Sequence, residues 1–175
     1  QGVMNVSRVD MPADAGAAPG AISLNAQRNI TLNAGSTIGS SGQPIDVTLN
    51  SNLQGVAAGG GNITLTSTTI ASNNGNITLA GDPSGTGFAS NKAGSGIVLD
   101  ASTIDAGSGA ITLRGEGGGA ANSSGVALIN GSVVTSSGAM NVTGKSISGG
   151  DQANGVLVTG ANSKIENSGN GAMNI

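Results

Sequence analysis

Short apolar–polar–apolar words recur along the chain: Ile22-Ser23-Leu24, Ile30-Thr31-Leu32, Ile63-Thr64-Leu65, Ile77-Thr78-Leu79, Ile97-Val98-Leu99, Ile111-Thr112-Leu113, Val126-Ala127-Leu128, Met140-Asn141-Val142, Val156-Leu157-Val158 and Met173-Asn174-Ile175. Most alternate with period two, the signature of a strand with one buried face. A second word, a small polar residue two positions before an aliphatic one, falls between them: Ser36-Thr37-Ile38, Thr68-Thr69-Ile70, Ser102-Thr103-Ile104, Ser132-Val133-Val134 and Ser163-Lys164-Ile165. From Ile63, Ile97 and Val126 the next inward positions are expected seven residues later, at Ile70, Ile104 and Val133, and seven later again, at Ile77, Ile111 and Met140. Looser stretches follow, at 80–95, 114–124 and 144–154. The full unit is 29 to 34 residues long, giving repeat units near 22–62, 63–96, 97–125, 126–155 and 156–175 within a single domain, 1–175.

Strands of three residues gain little by pairing with their sequence neighbours, but they can stack on the equivalent strand of the next unit. The pattern therefore predicts an all-β fold, a parallel β-helix (solenoid) of about five to six coils with long loops, roughly 25 to 30 Å in length. The outer residues of each word point inward, in ladders such as Ile63, Ile97, Val126 and Val156, and the central residue points to solvent. Gly, Asn and Ser supply the corners. Asn29, Asn62 and Asn76, each just before a strand, are expected to hydrogen-bond along the axis. A fourth inward position in two units (Ile22, Ile30, Ile38, Ile45; Val126, Val133, Met140, Ile147) leaves three or four faces per coil open. Gly2-Val3-Met4-Asn5-Val6 matches Gly138–Val142 and Gly171–Ile175, which puts both chain ends at one phase of the repeat. No pattern of three-and-four spacing marks an amphipathic helix.

Composition narrows the chemistry. The 175 residues include 32 Gly, 37% are apolar and only 9% charged, with a net charge of −3. Disorder is disfavoured because β-branched residues recur at fixed places and charge is low. With no His and no Cys, zinc sites, thiol nucleophiles, His bases and disulfides drop out. One aromatic, Phe88, and six scattered cations provide neither stacking platforms nor a phosphate-binding stripe, so nucleic acid is not an expected partner. No cofactor and no metal are implied. No apolar run is long enough for a membrane helix or a signal peptide, and the chain reads as a mature protein or a cut piece.

Several motifs have plain structural readings. Seven Asn-x-Ser/Thr triplets, beginning at Asn5, Asn29, Asn62, Asn76, Asn122, Asn130 and Asn141, follow from corner Asn residues beside an outward Thr. Asp100 and Asp105 are expected to cap turns. The glycine clusters 59–61, 117–119 and 149–150 lack the period of calcium-binding nonapeptides and the Lys-Ser/Thr ending of a phosphate loop. Outward threonines at 31, 48, 64, 78 and 112 suggest a flat hydroxyl array of the kind that orders ice, but Val98, Ala127 and Leu157 interrupt it. Met4, Met11, Met140 and Met173 are fillers of core or loop. Phe88 is either a lid over an apolar corner, the favoured reading, or an exposed contact residue.

The words 29–38 and 61–79 resemble the repeats of filamentous haemagglutinin-like exoproteins of Gram-negative bacteria, and the resemblance spans nearly the whole chain. It implies a large secreted protein of the two-partner secretion type, exported through an outer-membrane pore and folding outside the cell into a long right-handed parallel β-helix. It further implies a role in adhesion, aggregation or biofilm formation at the bacterial cell surface, with host-cell or bacterial-surface glycans or like molecules on neighbouring cells as partners. The absence of Cys suits such export. The Asn-Pro-Asn-type motifs of that family's secretion domain are missing, so an internal shaft segment is expected, and nothing resembles a carboxyl-terminal toxin.

The expected function is thus a non-catalytic structural or adhesive shaft. The alternative is a polysaccharide-binding or polysaccharide-cleaving β-helix, whose cleavage chemistry needs clustered carboxylates that this sequence disperses. A passive spacer is a third reading. Loops of repeat proteins carry variation at one side, so the candidate ligand-binding residues are Asp82, Phe88 and Lys92 in the first long loop and Arg114 and Glu116 in the second.

Overall fold

The computed structural model describes residues 4–5, 8–11, 20–52, 60–82, 84–147 and 153–175, with side-chain detail from residue 20 onward. All regular structure among them is β, arranged as a parallel β-helix with three faces. Face A stacks β1 (Met4–Asn5), β4 (Ile30–Leu32), β8 (Ile63–Thr66), β12 (Ile97–Asp100), β15 (Val126–Ile129) and β18 (Val156–Val158). Face B stacks β2 (Arg8–Met11), β5 (Thr37–Ser40), β9 (Thr69–Ala71), β13 (Thr103–Asp105), β16 (Val133–Ser136) and β19 (Lys164–Asn167). Face C stacks β3 (Gly20–Asn25), β6 (Ile45–Ser51), β10 (Ile77–Gly81), β14 (Ile111–Gly117), β17 (Met140–Ser146) and β20 (Met173–Asn174). Two short strands, β7 (Gly60–Gly61) and β11 (Ala89–Asn91), extend face C sideways and do not form a fourth face.

The expected five to six coils resolve into about four turns with a closed core. β4–β6, β8–β10, β12–β14 and β15–β17 make these turns, flanked by one further rung at each end. Register explains the core. Ile30, Ile63, Ile97, Val126 and Val156 form one column, and Leu32, Leu65, Leu99, Leu128 and Val158 the next. On face B, Ile38, Ile70, Ile104, Val134 and Ile165 align. On face C, Ile22, Val47, Ile77, Ile111, Met140 and Met173 align. In the four closed turns these side chains are fully buried, and they meet as a dry aliphatic column.

Four sequence expectations shift in register. The inward residue of β16 is Val134, since Val133 pairs with outward Thr103; one extra corner residue at Asn130-Gly131 makes the step eight rather than seven. Ile147 lies beyond the end of β17 and is 64% exposed, so it is no inward position. Met4 pairs with Ile30 on face A whereas Met140 and Met173 belong to face C, so the matching words at the two ends lie at different phases. Ile22 likewise pairs with Val47 on face C, so the stretch 22–62 begins a face earlier than the units starting at Ile63 and Ile97.

The corners repeat as strictly as the strands. Between faces A and B a residue with positive φ (Gly35, Ser67, Ala101, Gly131, Asn162) precedes a small hydroxyl (Ser36, Thr68, Ser102, Ser132, Ser163). The hydroxyls step along the axis: Ser102 Oγ accepts from Thr68 N–H at 3.1 Å, and Ser132 Oγ accepts from Ser102 N–H at 3.1 Å. These buried groups satisfy backbone donors that no strand ladder reaches at the bend. The expected Asn ladders are mostly amide to backbone: Asn29 Oδ1 accepts from Asn62 N–H at 3.2 Å and Asn76 Oδ1 from Ala110 N–H at 2.9 Å. Amide meets amide at Asn25–Asn50 and Asn141–Asn174. Asp105 caps its turn through Gly107 N–H at 2.8 Å, whereas Asp100 instead accepts from Asn130 Nδ2 of the next rung at 2.8 Å.

Two stability outcomes follow. Ala101 is exposed with φ 49°, a conformation in which Cβ is crowded. Ala101→Gly should therefore raise stability by about 1 kcal/mol, read as an increased Tm. Leu99→Ala, at the centre of the dry column, should cost about 2–5 kcal/mol in urea unfolding.

Candidate functional site

Among the described residues, the long connections 82–96 and 118–125 leave the coil at the corner from face C to face A, the corner that 52–62 and 147–155 also join. From β4 onward the other two corners are turned within a few residues. At this corner face C overruns the coil and its backbone lies against the start of face A. A Cβ on Gly115 would sit 2.1 Å from the carbonyl oxygen of Gly125, and one on Gly144 would sit 1.8 Å from that of Gly155. Glycine is required here by close approach, and the glycines of 114–124 and 144–154 are partly strand rather than loop.

β14 alternates strictly, with Ile111, Leu113, Gly115 and Gly117 buried and Thr112, Arg114 and Glu116 outward. In the next rung Thr143 lies beside Arg114 and Lys145 beside Glu116. The loop after β10 folds back at once, because Gly81 N–H donates to Gly87 O at 3.2 Å, and the turn between them holds Asp82 and Ser84. The chain then runs as β11 alongside the end of β14, with Ala89 opposite Gly115 and Ser90 opposite Glu116. This route brings Phe88 over the outer surface of face C. The Arg114 guanidinium lies 4.8 Å and the Lys145 ammonium 4.6 Å from its ring centroid. Phe88 is half-buried against two cations and is not a lid over an apolar corner, the favoured sequence reading.

Lys145 also forms an ion pair with Glu116. Asp82 Oδ1 accepts from Ser84 Oγ at 2.6 Å and Ser84 N–H at 2.8 Å. These bonds, chiefly the hydroxyl's, hold its carboxyl below the usual carboxylate range against a smaller opposing effect of burial. Asp82, Phe88 and Glu116, with Asn52, Gly87 and Ser90, line a cavity of about 230 Å³. Asn52 is only 8% exposed and its Oδ1 has no hydrogen-bond partner.

Of the five sequence candidates, Asp82, Phe88, Arg114 and Glu116 converge. Lys92 does not: it is exposed in the turn after β11, and its carbonyl accepts from Gly119 N–H at 3.0 Å, tying the two long loops together through backbone. Asn52 and Lys145 are the functional candidates that loop length did not flag. Aligning Arg114-Gly115-Glu116 with Thr143-Gly144-Lys145, one turn on, would have placed Lys145 beside Glu116.

Comparison with protein-family models, with characterised proteins and with solved structures gives no match, so sequence pattern and geometry carry the functional reading.

Because the carboxyl of Asp82 is more acidic in the fold than in the unfolded chain, its contribution holds above the unfolded value and is lost as pH falls through the folded one. The protection factor of the Ser84 amide, its exchange relative to an unstructured peptide at the same pH, should therefore fall below about pH 4 while core amides stay protected. Phe88→Ala should lower global stability by no more than about 1–2 kcal/mol yet release protection at Ala89–Asn91, as read by hydrogen exchange.

Proposed function

We propose that the chain is a non-catalytic adhesive shaft segment of a large secreted bacterial surface protein, acting in adhesion, cell aggregation or biofilm formation. The observation that carries this reading is that the long described connections 82–96 and 118–125 share one corner of a regular, repetitive coil. A rod with one decorated edge displays many weak contacts side by side, and their effects multiply when several engage at once. The repeat words resembling filamentous haemagglutinin-like exoproteins supply the context: export through an outer-membrane pore, and glycans or like molecules on neighbouring cells as partners.

The charge arrangement supports binding over cleavage. A sugar-cleaving acid needs surroundings that keep it protonated near neutral pH. Asp82 is held ionised by Ser84, and Glu116 is committed to Lys145. Polysaccharide binding without cleavage remains compatible with this surface and is favoured by the polar outer groove of face C.

Beads carrying the segment should cluster with one another or be retained on glycan-coated surfaces. Replacing 83–86 and 118–123 by short Gly-Ser turns should abolish this while the β-type circular dichroism spectrum persists. A folded segment that neither clusters nor is retained would be a passive spacer and would overturn the proposal.

A further inference from the structure

The outward threonines fall on two different faces. Thr31 and Thr64 belong to face A, where the same column continues as Val98, Ala127 and Leu157. Thr48, Thr78 and Thr112 belong to face C, where the column is polar throughout, from Ser23 at one end to Asn141 and Asn174 at the other. The apolar interruptions apply to face A alone.

On face C the hydroxyls of Ser23, Thr48, Thr78 and Thr112 floor a groove of about 410 Å³. Among the described residues none of these four hydroxyls is engaged in a hydrogen bond, whereas Thr64 on face A accepts from Asn62 Nδ2 at 2.8 Å. One wall is the Asp82 turn, which contributes Ser84 and Gly85. At the base, Asn50 Nδ2 donates to Asn25 Oδ1 at 3.2 Å. Asn50 is 5% exposed and its own Oδ1 is buried without a partner. This acceptor lies beneath the Gly85 turn, just under the groove, so the groups free to meet a ligand are the four hydroxyls.

We propose that this groove binds a neutral, hydroxyl-rich polysaccharide chain running along the coil axis. The proposal rests on the reading of the segment as a ligand-displaying rod and names the ligand class. The groove lining carries no charge, and the charged groups beside it are of both signs, Asp46 two residues from Thr48, Arg114 two residues from Thr112 and Asp82 behind Ser84, so the lining itself matches a neutral polymer. Threonine hydroxyls donate and accept, as sugar hydroxyls do. They repeat once per rung, about 4.8 Å, a distance close to the length of one sugar residue in an extended chain. The wall makes the surface a channel, which fits a linear polymer and not a flat lattice such as ice.

The test is affinity electrophoresis of the whole 175-residue chain in gels containing mixed-linkage β-glucan, xylan, galactomannan or dextran, with alginate and heparin as anionic controls. Retardation by at least one neutral polymer is expected, insensitive to salt because no ion pair is involved. The near-isosteric variant Thr78→Val/Thr112→Val should bind at least tenfold more weakly, and Thr31→Val on face A should bind as the parent chain does. Thermal melts confirm that each variant is folded. Absence of retardation by every neutral polymer, retardation by the anionic polymers alone, or undiminished binding by the double variant would overturn the proposal. Bead clustering that persists without polysaccharide binding refutes the groove alone; polysaccharide binding without clustering refutes the aggregation role alone.

Discussion

In-register stacking of equivalent residues is the constraint on which the rest of the molecule depends. Each short strand finds its hydrogen-bond partners one turn away, so a strand can exist only if its counterpart lies at the same height in the next rung. Register also decides which side chains share the interior, because a slip of one residue would turn Ile63, Ile97 and Val126 outward together. Turn length varies where the extra residues leave the ladder, by a residue or two at the corners between strands, as near Asn130, and most in the described connections 82–96 and 118–125 from face C to face A.

Polar groups carry the second half of this design. The aliphatic interior has no place for unpaired backbone donors, and the bends between faces create them. Small hydroxyls at Ser102, Ser132 and Ser163 accept these donors from one rung to the next. Between faces B and C hydroxyls satisfy carbonyls instead: Ser72 Oγ donates to Gly75 O at 2.6 Å and Ser136 Oγ to Gly109 O at 2.5 Å. The unpaired acceptors on Asn50 and Asn52 stand out against this background because both lie where cavities open on the outer side of face C.

The loop corner joins scaffold and surface. Glycine contacts at Gly115–Gly125 and Gly144–Gly155 bring two backbones together at the neck from which the loops emerge. The loops are thereby held against the extended part of face C, and outward residues of successive rungs face loop residues. Phe88 beside Arg114 and Lys145 is the result, with the Asp82 turn forming the shared wall between a charged cavity and a neutral groove.

The sequence by itself determined the parallel β-helix, its repeat of 29 to 34 residues, its aliphatic ladders and the polar corners, because each of these is a local pattern that recurs at a nearly fixed interval. It also marked the long loops and most of the residues that gather there. Only the tertiary structure decided that there are three faces, that Val134 rather than Val133 turns inward, and that Ile147 faces solvent. It alone sorted the threonines between faces and placed Lys145 and Asn52 at the loop corner. The reason is physical: identical words occur on different faces, and what distinguishes them is the rung above and below, information carried by stacking across a whole turn and absent from any local stretch of chain.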